Sequence, residues 1–527
     1  MVRRLEIVLD VVNGASRAPC ETAVAPDSDS GSEATGVTAA LRAAVPSLVA
    51  QAGPADSVSI VTFDSSDALA KAGWRIAVET QSAAHSVVVS RRYVLTPGIV
   101  VVEPIFSAHL ETDGLDEALF EAAPEAFREA LAAAGPLAPS ASLMATRSAW
   151  TWPREAEDLT LELDADTRMP RDETARLHEL RLSVPWLDDA PSAPLVAGLF
   201  DGAHGLVDAL PAFVRLTDAL ARTAHGSTVG DEKAIHADPV DLGGASSAEA
   251  ALAAIGANIS AQWFGNDAGV RDSANTEFIH QMRVSQRRLR TAMRIFSHWQ
   301  DVGWRERIEP DLKWLGGLLG EARDRDVFVE STLPALAAAD NESERWRALR
   351  DEAEAGRQAA RGRVREALAS PRYAHLALAW LQWLAALAQH ADTSAEAGPS
   401  LRRHAKKRVH RYYERLAQAQ KLTAIDEASR HRVRINAKYL RYTLEFFAPI
   451  TSRRTRTDTA RALGRLQSVL GDGNDAAVAL RFLERMDAEP YQLGFARGWC
   501  EAVKRYTAKE GERLLRDLRQ PKIARGA

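Results

Sequence analysis

A basic, helix-periodic motif occurs twice at one fixed spacing, and nothing else in the chain limits its fold so tightly. His280-Gln-Met-Arg283-Val-Ser-Gln-Arg287-Arg288-Leu289-Arg290 runs on to Phe296, and His431-Arg-Val-Arg434-Ile-Asn-Ala-Lys438-Tyr439-Leu440-Arg441 runs on to Phe447, 151 residues later. Leu312, Leu315, Leu319, Gly320, Asp324 and Val327 recur at the same spacing as Leu463, Leu466, Leu470, Gly471, Asp475 and Val478. Two separate segments in one register predict a duplicated structural unit.

Helical spacing then divides each motif into two faces. His280, Arg283, Arg287, Arg290 and Arg294 fall on one side of a helix, and Met282, Leu289, Met293 and Phe296 on the other. The second copy places His431, Arg434, Lys438 and Arg441 opposite Val433, Ala437, Leu440, Leu444 and Phe447. Neighbouring cations on such a stripe stand about 5–6 Å apart and repel one another unless carboxylates or an external anion lie between them. Positions four residues from Arg287 and Arg290 supply Arg283, Thr291, Gln286 and Arg294, none of them acidic. The stripe is therefore expected to take an anion. A third basic run, Arg402 to Arg408 with Arg411 and Arg415, places His404, Arg408, Arg411 and Arg415 on one helical face, but its equivalents 151 residues earlier are Ala253, Ala257, Ser260 and Phe264.

At these residues the chain resembles the CHAD domain family, with H-x-x-R-V-x-x-R-R-L-R in the first half and H-x-x-R-x-x-x-K-x-L-R-Y, matched by His431 to Tyr442, in the second. The following L-x-x-x-L-G-x-x-R/N-D segments appear at Leu315 to Asp324 and Leu466 to Asp475. The resemblance covers roughly residues 246–527. It implies two four-helix bundles related by a pseudo-twofold, with repeats at about 246–396 and 397–527, and a basic surface that binds inorganic polyphosphate. The candidate binding residues are His280, Arg283, Arg287, Arg288, Arg290, Arg294, Lys313 and Arg323 in the first half. In the second they are Arg403, Lys407, Arg408, Arg411, Arg415, His431, Arg434, Lys438 and Arg441. Arginine suits this ligand because its planar fork pairs bidentately with phosphate oxygens and stays charged.

His280 and His431 have no neighbouring cysteine or acidic cluster, so hydrogen bonding within the bundle is favoured over metal ligation or phosphate acceptance. Asp324 and Asp475 read as helix-starting caps in preference to metal ligands beside phosphate. Trp299, Trp304, Trp314, Trp380 and Trp383 read as core. No Walker loop, zinc-protease motif or nucleophile motif is found, and no catalytic residue, metal or cofactor is assigned.

The formal net charge of −5 hides an asymmetry. Residues 1–244 carry 18 Lys and Arg against 36 Asp and Glu, whereas 245–527 carry 48 against 35. No apolar run approaches the roughly 18 residues of a transmembrane helix, and no signal-type apolar segment follows the N-terminal charges. A cytoplasmic protein is expected. Cys20 and Cys500 are isolated and suggest neither a disulfide nor a metal site.

The N-terminal part reads as α+β. Short β-branched or alternating runs at 4–11, 58–63, 74–79, 86–94, 148–152, 159–164 and 177–184 predict strands, and helical patterns appear at 38–50, 115–134 and 195–223. A Ser/Asp/Gly-rich loop is expected at 27–36. Residues 1–225 form the first expected domain and 226–245 a linker. Ser246-x-x-Glu249 reads as a capping box opening the helical domain at 246.

This first domain resembles the CYTH or triphosphate-tunnel family, an antiparallel β-barrel. Thr62-Phe63-Asp64, Leu69 and Gly73-Trp74-Arg75-Ile76 match its Y-F-D-T…L…G…L-R-I-R run, Arg147 falls where a tunnel arginine is expected, and 177–184 resembles a late tunnel strand. Active members open with E-x-E-x-K, but Glu6-Ile7-Val8-Leu9-Asp10 stands here, and Arg181 follows Glu179 where a second carboxylate belongs. Without clustered carboxylates a divalent metal lacks its oxygen ligands, and with few basic residues the tunnel cannot neutralise triphosphate. Hydrolysis is expected to be lost.

The resulting expectation is a non-catalytic polyphosphate-binding protein, associated with polyphosphate granules and with other proteins there. A residual tunnel hydrolysing triphosphate or polyphosphate is the alternative, and a nucleic-acid binder the second.

Overall fold

The computed structural model describes residues 2–11, 40–43, 45–50, 56–82, 84–154, 159–170, 177–187, 190–224, 233–340, 343–393, 400–419 and 421–524. The loop expected at 27–36, Cys20 and the first part of the linker, 226–232, lie outside them. The chain divides into two compact units, one of residues 1–233 with 369–386 and one of 234–368 with 387–527.

The first unit is built on ten antiparallel strands: β1 (Arg3–Val11), β2 (Val49–Ala50), β3 (Asp56–Asp64), β4 (Trp74–Gln81), β5 (Ala84–Thr96), β6 (Ile99–Leu110), β7 (Ala138–Arg154), β8 (Leu159–Pro170), β9 (Leu177–Trp186) and β10 (Ala212–Arg215). Eight of them close into a ring in the order β1-β6-β5-β4-β3-β7-β8-β9, because β9 pairs back onto β1. The ring is uneven: β9 follows β1 from Arg3 to Val11, whereas β6 pairs only at Arg4–Glu6 and β10 takes over at Val8–Val11. Its architecture agrees with the tunnel-like barrel expected from the sequence.

Period-two alternation sorts residues inside and outside this ring. Among the described residues, the helices that accompany it include α1 (Ala68–Lys71), α2 (Glu125–Ala134), α3 (Ala193–Ala209) and α4 (Ala219–Ala224). Leu161 and Leu182 pack outward against Gly202 of α3, and Ile76, Val78, Val87 and Val89 pack outward against Phe127 of α2. Glu6, Asp10, Arg75, Arg92, Glu179 and Arg181 occupy the alternate, inner positions. Helix α4 lies on that inner face, where Ala219 and Leu220 are buried with Val58, Ile60, Ala77 and Leu143.

Three sequence expectations change here. The helix expected over 195–223 ends at Ala209, because Pro211 biases Leu210 to extended backbone and the buried run Ala212–Arg215 joins the sheet. Strand β6 escaped the sequence reading through Pro104, which ordinarily argues against a strand interior; it sits at a register shift opposite Ser90. Of the helix expected at 38–50, only 40–43 is helical among the described residues, and Val49–Ala50 pairs with β7.

The second unit is helical: α5 (Ala248–Gly265), α6 (Asp267–Asp272), α7 (Thr276–Ile295), α8 (Glu309–Val327), α9 (Leu333–Ala339), α10 (Arg347–Leu368), α12 (Leu401–Ala417), α13 (Glu427–Phe446), α14 (Ala460–Leu483) and α15 (Pro490–Asp517). Between α10 and α12 runs α11 (Pro371–Thr393), whose residues up to 386 belong to the first unit. Ser247, not Ser246, caps α5, accepting from the Ala250 N–H.

The duplication is kept to the residue. α7 and α13 begin and end 151 positions apart; the 3-10 turns Ser297–Trp299 and Ala448–Ile450, the π turns Trp304–Ile308 and Thr455–Thr459, and the starts of α8 and α14 keep the same offset. Met282, Leu289, Met293 and Phe296 are buried behind α7, and Val433, Ala437, Leu440, Leu444 and Phe447 behind α13. Where α7 meets α13, equivalent positions exchange contacts. Arg288 donates to Glu445 and Arg294 to Tyr439, and 288 and 294 are the counterparts of 439 and 445. Contact of i with j and of the equivalent j with i is the mark of a twofold relation.

Candidate anion-binding site

The meeting of α7 and α13 brings the two basic stripes together. Arg283 feels the charges of Arg287, Arg290 and Arg434, and Lys438 those of Arg287, Arg434, Arg283 and Arg290. Arg283 reaches the Asp324 carboxylate at 3.3 Å, and Arg441 lies 3.7 Å from Glu445. Among the described residues, Arg287, Arg290, Arg434 and Lys438 form no ion pair, and Arg287 Nε and Arg441 Nε are buried without a hydrogen-bond acceptor. The seam thus presents more cations than carboxylates: Asp324, Asp475 and Glu445 lie in or beside it, and four of its cations have no ion-pair partner among the described residues.

Helix α8 supports the first stripe from beneath. Arg290 donates to the Leu312 carbonyl at 2.6 Å, and the guanidiniums of Arg290 and Arg283 lie so close over Gly316 and Gly320 that a Cβ there would collide with them. In the first copy of the L-G motif, Gly320 thus keeps room for an arginine, whereas at Gly471 nothing lies within 4 Å. Asp324 and Asp475 lie inside α8 and α14, which corrects the expectation that they start helices. Burial pushes the Asp324 carboxyl up, Arg283 pulls it down, and Asp475 pushes it up again, so the two equivalent acids are neighbours in the seam.

The remaining candidates are placed less uniformly. Arg288 points away from the stripe and is 1% exposed, donating to Glu445, to Gln262 at 2.9 Å and to Asn258 at 2.6 Å. Lys313 is exposed and paired with Glu309. Arg323 is half-buried near His280, whose pKa it lowers after the larger effect of burial. On α12, Arg403, Lys407 and Arg411 are exposed, Arg415 lies over Tyr412, and Arg408 donates to Ser297. Tyr412 in turn packs on Tyr439, which links this cluster to Arg294. His404 stacks on Phe296, and burial, then Arg408, pushes it down to about 4, so it is a neutral packing residue. Burial likewise lowers His431, with Arg434 next, holding it toward the neutral form as for His280.

Sequence reasoning missed Arg481 and Lys504. With His431, Arg434, Asn474 and Glu427 they line a cavity of about 560 Å³ among α13, α14 and α15. The residues 151 positions earlier are Glu330 and Ala353, so the repeat gave no signal for them.

Residues 254–484 match the family model described as the CHAD domain. The helical unit contains a CHAD domain. Among solved structures, the CHAD domain from the plant Ricinus communis is similar at 28% identity, covering 56% of this chain and all of its own, with a TM-score of 0.49. A Hippeastrum protein described as an adenylyl cyclase with a dominant triphosphatase activity matches at 15% identity over 43% of this chain and 97% of its own, TM-score 0.29. PptA from Streptomyces chartreusis matches at 19% identity over 52% of this chain and 99% of its own, TM-score 0.35. No curated protein shows a significant match. Among the described residues, no helix is long and apolar enough to cross a membrane, and no cluster of three metal-ligating side chains occurs.

The seam of the CHAD domain has a titratable member. Burial, then Arg287 and Arg434, pushes Lys438 down to about 7. The folded lysine therefore binds fewer protons than the unfolded one between pH 7 and its ordinary value of 10.5, and stability of the empty site rises with pH across that window. An anion reverses the balance by favouring the ammonium. Binding of an oligophosphate at about pH 8 should take up a proton, and affinity should fall as pH rises. Titrations in buffers of different ionisation enthalpy measure this directly; uptake that persists in Lys438→Met would assign the proton elsewhere.

Proposed function

We propose that the CHAD domain binds linear inorganic polyphosphate along the seam of α7 and α13 and holds it without cleaving it. The observation that carries this reading is the convergence of Arg287, Arg290, Arg434 and Lys438 with no carboxylate paired to any of them. A protein does not retain such repulsion for stability, and a polymer carrying one or more charges per repeat relieves it along its whole length. The seam also joins the α12 cations Arg403, Lys407, Arg408, Arg411 and Arg415 through Tyr412 and Tyr439, which gives a chain somewhere to continue. We place the protein in the cytoplasm at polyphosphate granules, with polyphosphate as its partner.

Affinity should grow with chain length, and log affinity should fall linearly with log salt, as counterions are released. Competition between long-chain polyphosphate and single-stranded DNA tests the assignment. Polyphosphate should displace DNA at far lower concentration, counted per phosphate, than the reverse; parity would make the seam a general nucleic-acid surface. Phosphate release from triphosphate in the presence of Mg²⁺ or Mn²⁺ would instead favour a hydrolase.

A further inference from the structure

The other concentration of charge lies inside the β ring, where the sequence led us to expect too few basic residues to hold an anion. Arg75, Arg92, Arg181, Arg215 and Arg222 are all there, and acids meet them. Arg215 and Arg222 reach Asp10 at 2.6 and 3.0 Å, Arg181 reaches Asp164 at 3.5 Å, and Arg92 reaches Glu6 at 2.9 Å. The contact that stands out is made by Asp218, in the turn between β10 and α4. Its Oδ2 accepts from Arg75 Nη1 at 2.6 Å and from Arg92 Nη2 at 2.9 Å, while its Oδ1 accepts from Arg75 Nη2 at 3.0 Å and from the Ala221 N–H at 2.9 Å. The Asp218 side chain is 5% exposed.

Four donors from three elements thus converge on one carboxylate. A two-pronged guanidinium, a second guanidinium and a main-chain N–H form the donor set that grips phosphate oxygens elsewhere in proteins. Burial pushes the Asp218 carboxyl up, but Arg75 and Arg92 outweigh it and hold it well below the usual carboxylate range. Arg92 also donates to Glu6, whereas Asp218 is the carboxylate that Arg75 pairs with. Taking Asp218 away would leave the half-buried Arg75 guanidinium unpaired, which is costly unless something anionic replaces the carboxylate.

We propose that Arg75, Arg92 and the Ala221 N–H form a site for a small inorganic oxyanion of the phosphate class, and that this chain fills the site with its own Asp218 carboxylate. The N-terminal unit is then closed to free phosphates because its ligand is built in, not because its cations are missing. This lies in a different unit from the polyphosphate seam and does not depend on it.

The test uses the full chain with the seam neutralised by Arg287→Glu, Arg290→Glu, Lys438→Glu and Arg441→Glu. Asp218→Gly in that background vacates the donors at little cost to the helix cap. Inorganic phosphate, with chloride at equal ionic strength as control, should raise the unfolding midpoint of Asp218→Gly by about 3 °C or more. It should leave the Asp218 chain unmoved, and adding Arg75→Gln to Asp218→Gly should abolish the rise. A folded Asp218→Gly protein that ignores phosphate overturns the proposal, and so does an equal rise with Asp218 in place. If Asp218→Gly does not fold in chloride, refolding is repeated with phosphate: rescue supports a vacated anion site, and failure in both overturns it.

Discussion

Reversing four charges, Arg287→Glu, Arg290→Glu, Lys438→Glu and Arg441→Glu, should abolish polyphosphate binding while the helical unit stays folded. These side chains stand on the seam face, opposite the buried Leu289, Ala437 and Leu440, so their replacement leaves the core intact. Three of the four have no carboxylate partner to lose; Arg441 gives up a 3.7 Å contact with Glu445. Removing four phosphate contacts and adding four repelling charges should lower affinity by about 10³-fold or more near physiological salt, and flatten the log–log salt slope by about 3. Calorimetric titration with long-chain polyphosphate, beside circular dichroism to check folding, reads both. Equal binding by the variant would make the seam plain solvated surface and remove the proposed function.

The neighbouring arginine should behave in the opposite way. Arg288→Met should cost about 3 kcal/mol of stability, because removing one member of a buried polar network leaves the rest unsatisfied. Arg288 ties three helices together, reaching Glu445 on α13 at 2.7 Å and Gln262 and Asn258 on α5 at 2.9 and 2.6 Å, with its guanidinium over the Phe446 ring. Gln262 is 1% exposed and cannot turn to water for compensation. The lost stability should appear in urea unfolding, and polyphosphate affinity of the folded fraction should change little. A variant that is stable but fails to bind would return Arg288 to the ligand site.

The contrast between residues 287 and 288 shows what the sequence could and could not reveal. Periodicity separated a basic face from an apolar one, and the 151-residue register announced the duplication, because both are properties of a single helix or of two copies compared. It could not tell that Arg288, one position off the stripe, is sequestered, since that depends on Gln262 and Asn258 arriving from α5. For the same reason Asp324 and Asp475 looked like caps: Leu-Gly before an acid suggests a helix start, and only the fold shows α8 and α14 continuous there, with Gly320 of α8 making room for Arg283. In the N-terminal unit the motif residues were legible, but counting basic residues misjudged the ring. Five arginines spread over more than a hundred positions of an acidic segment leave no local signature, and closure of the sheet is what gathers them.

The exchanged contacts between α7 and α13 carry a consequence for how a ligand is read. An inorganic polyphosphate chain has no head and no tail, and every link in it is the same. If the seam holds polyphosphate, its twofold would offer such a chain a closely similar set of cations, Arg283, Arg287 and Arg290 or Arg434, Lys438 and Arg441, whichever end enters first. Neither end of the chain would then be the wrong one to lead. The departures from symmetry, Arg481 and Lys504 beside one bank and the α12 cluster at the other end, are what would give a directionless polymer a preferred place to stop.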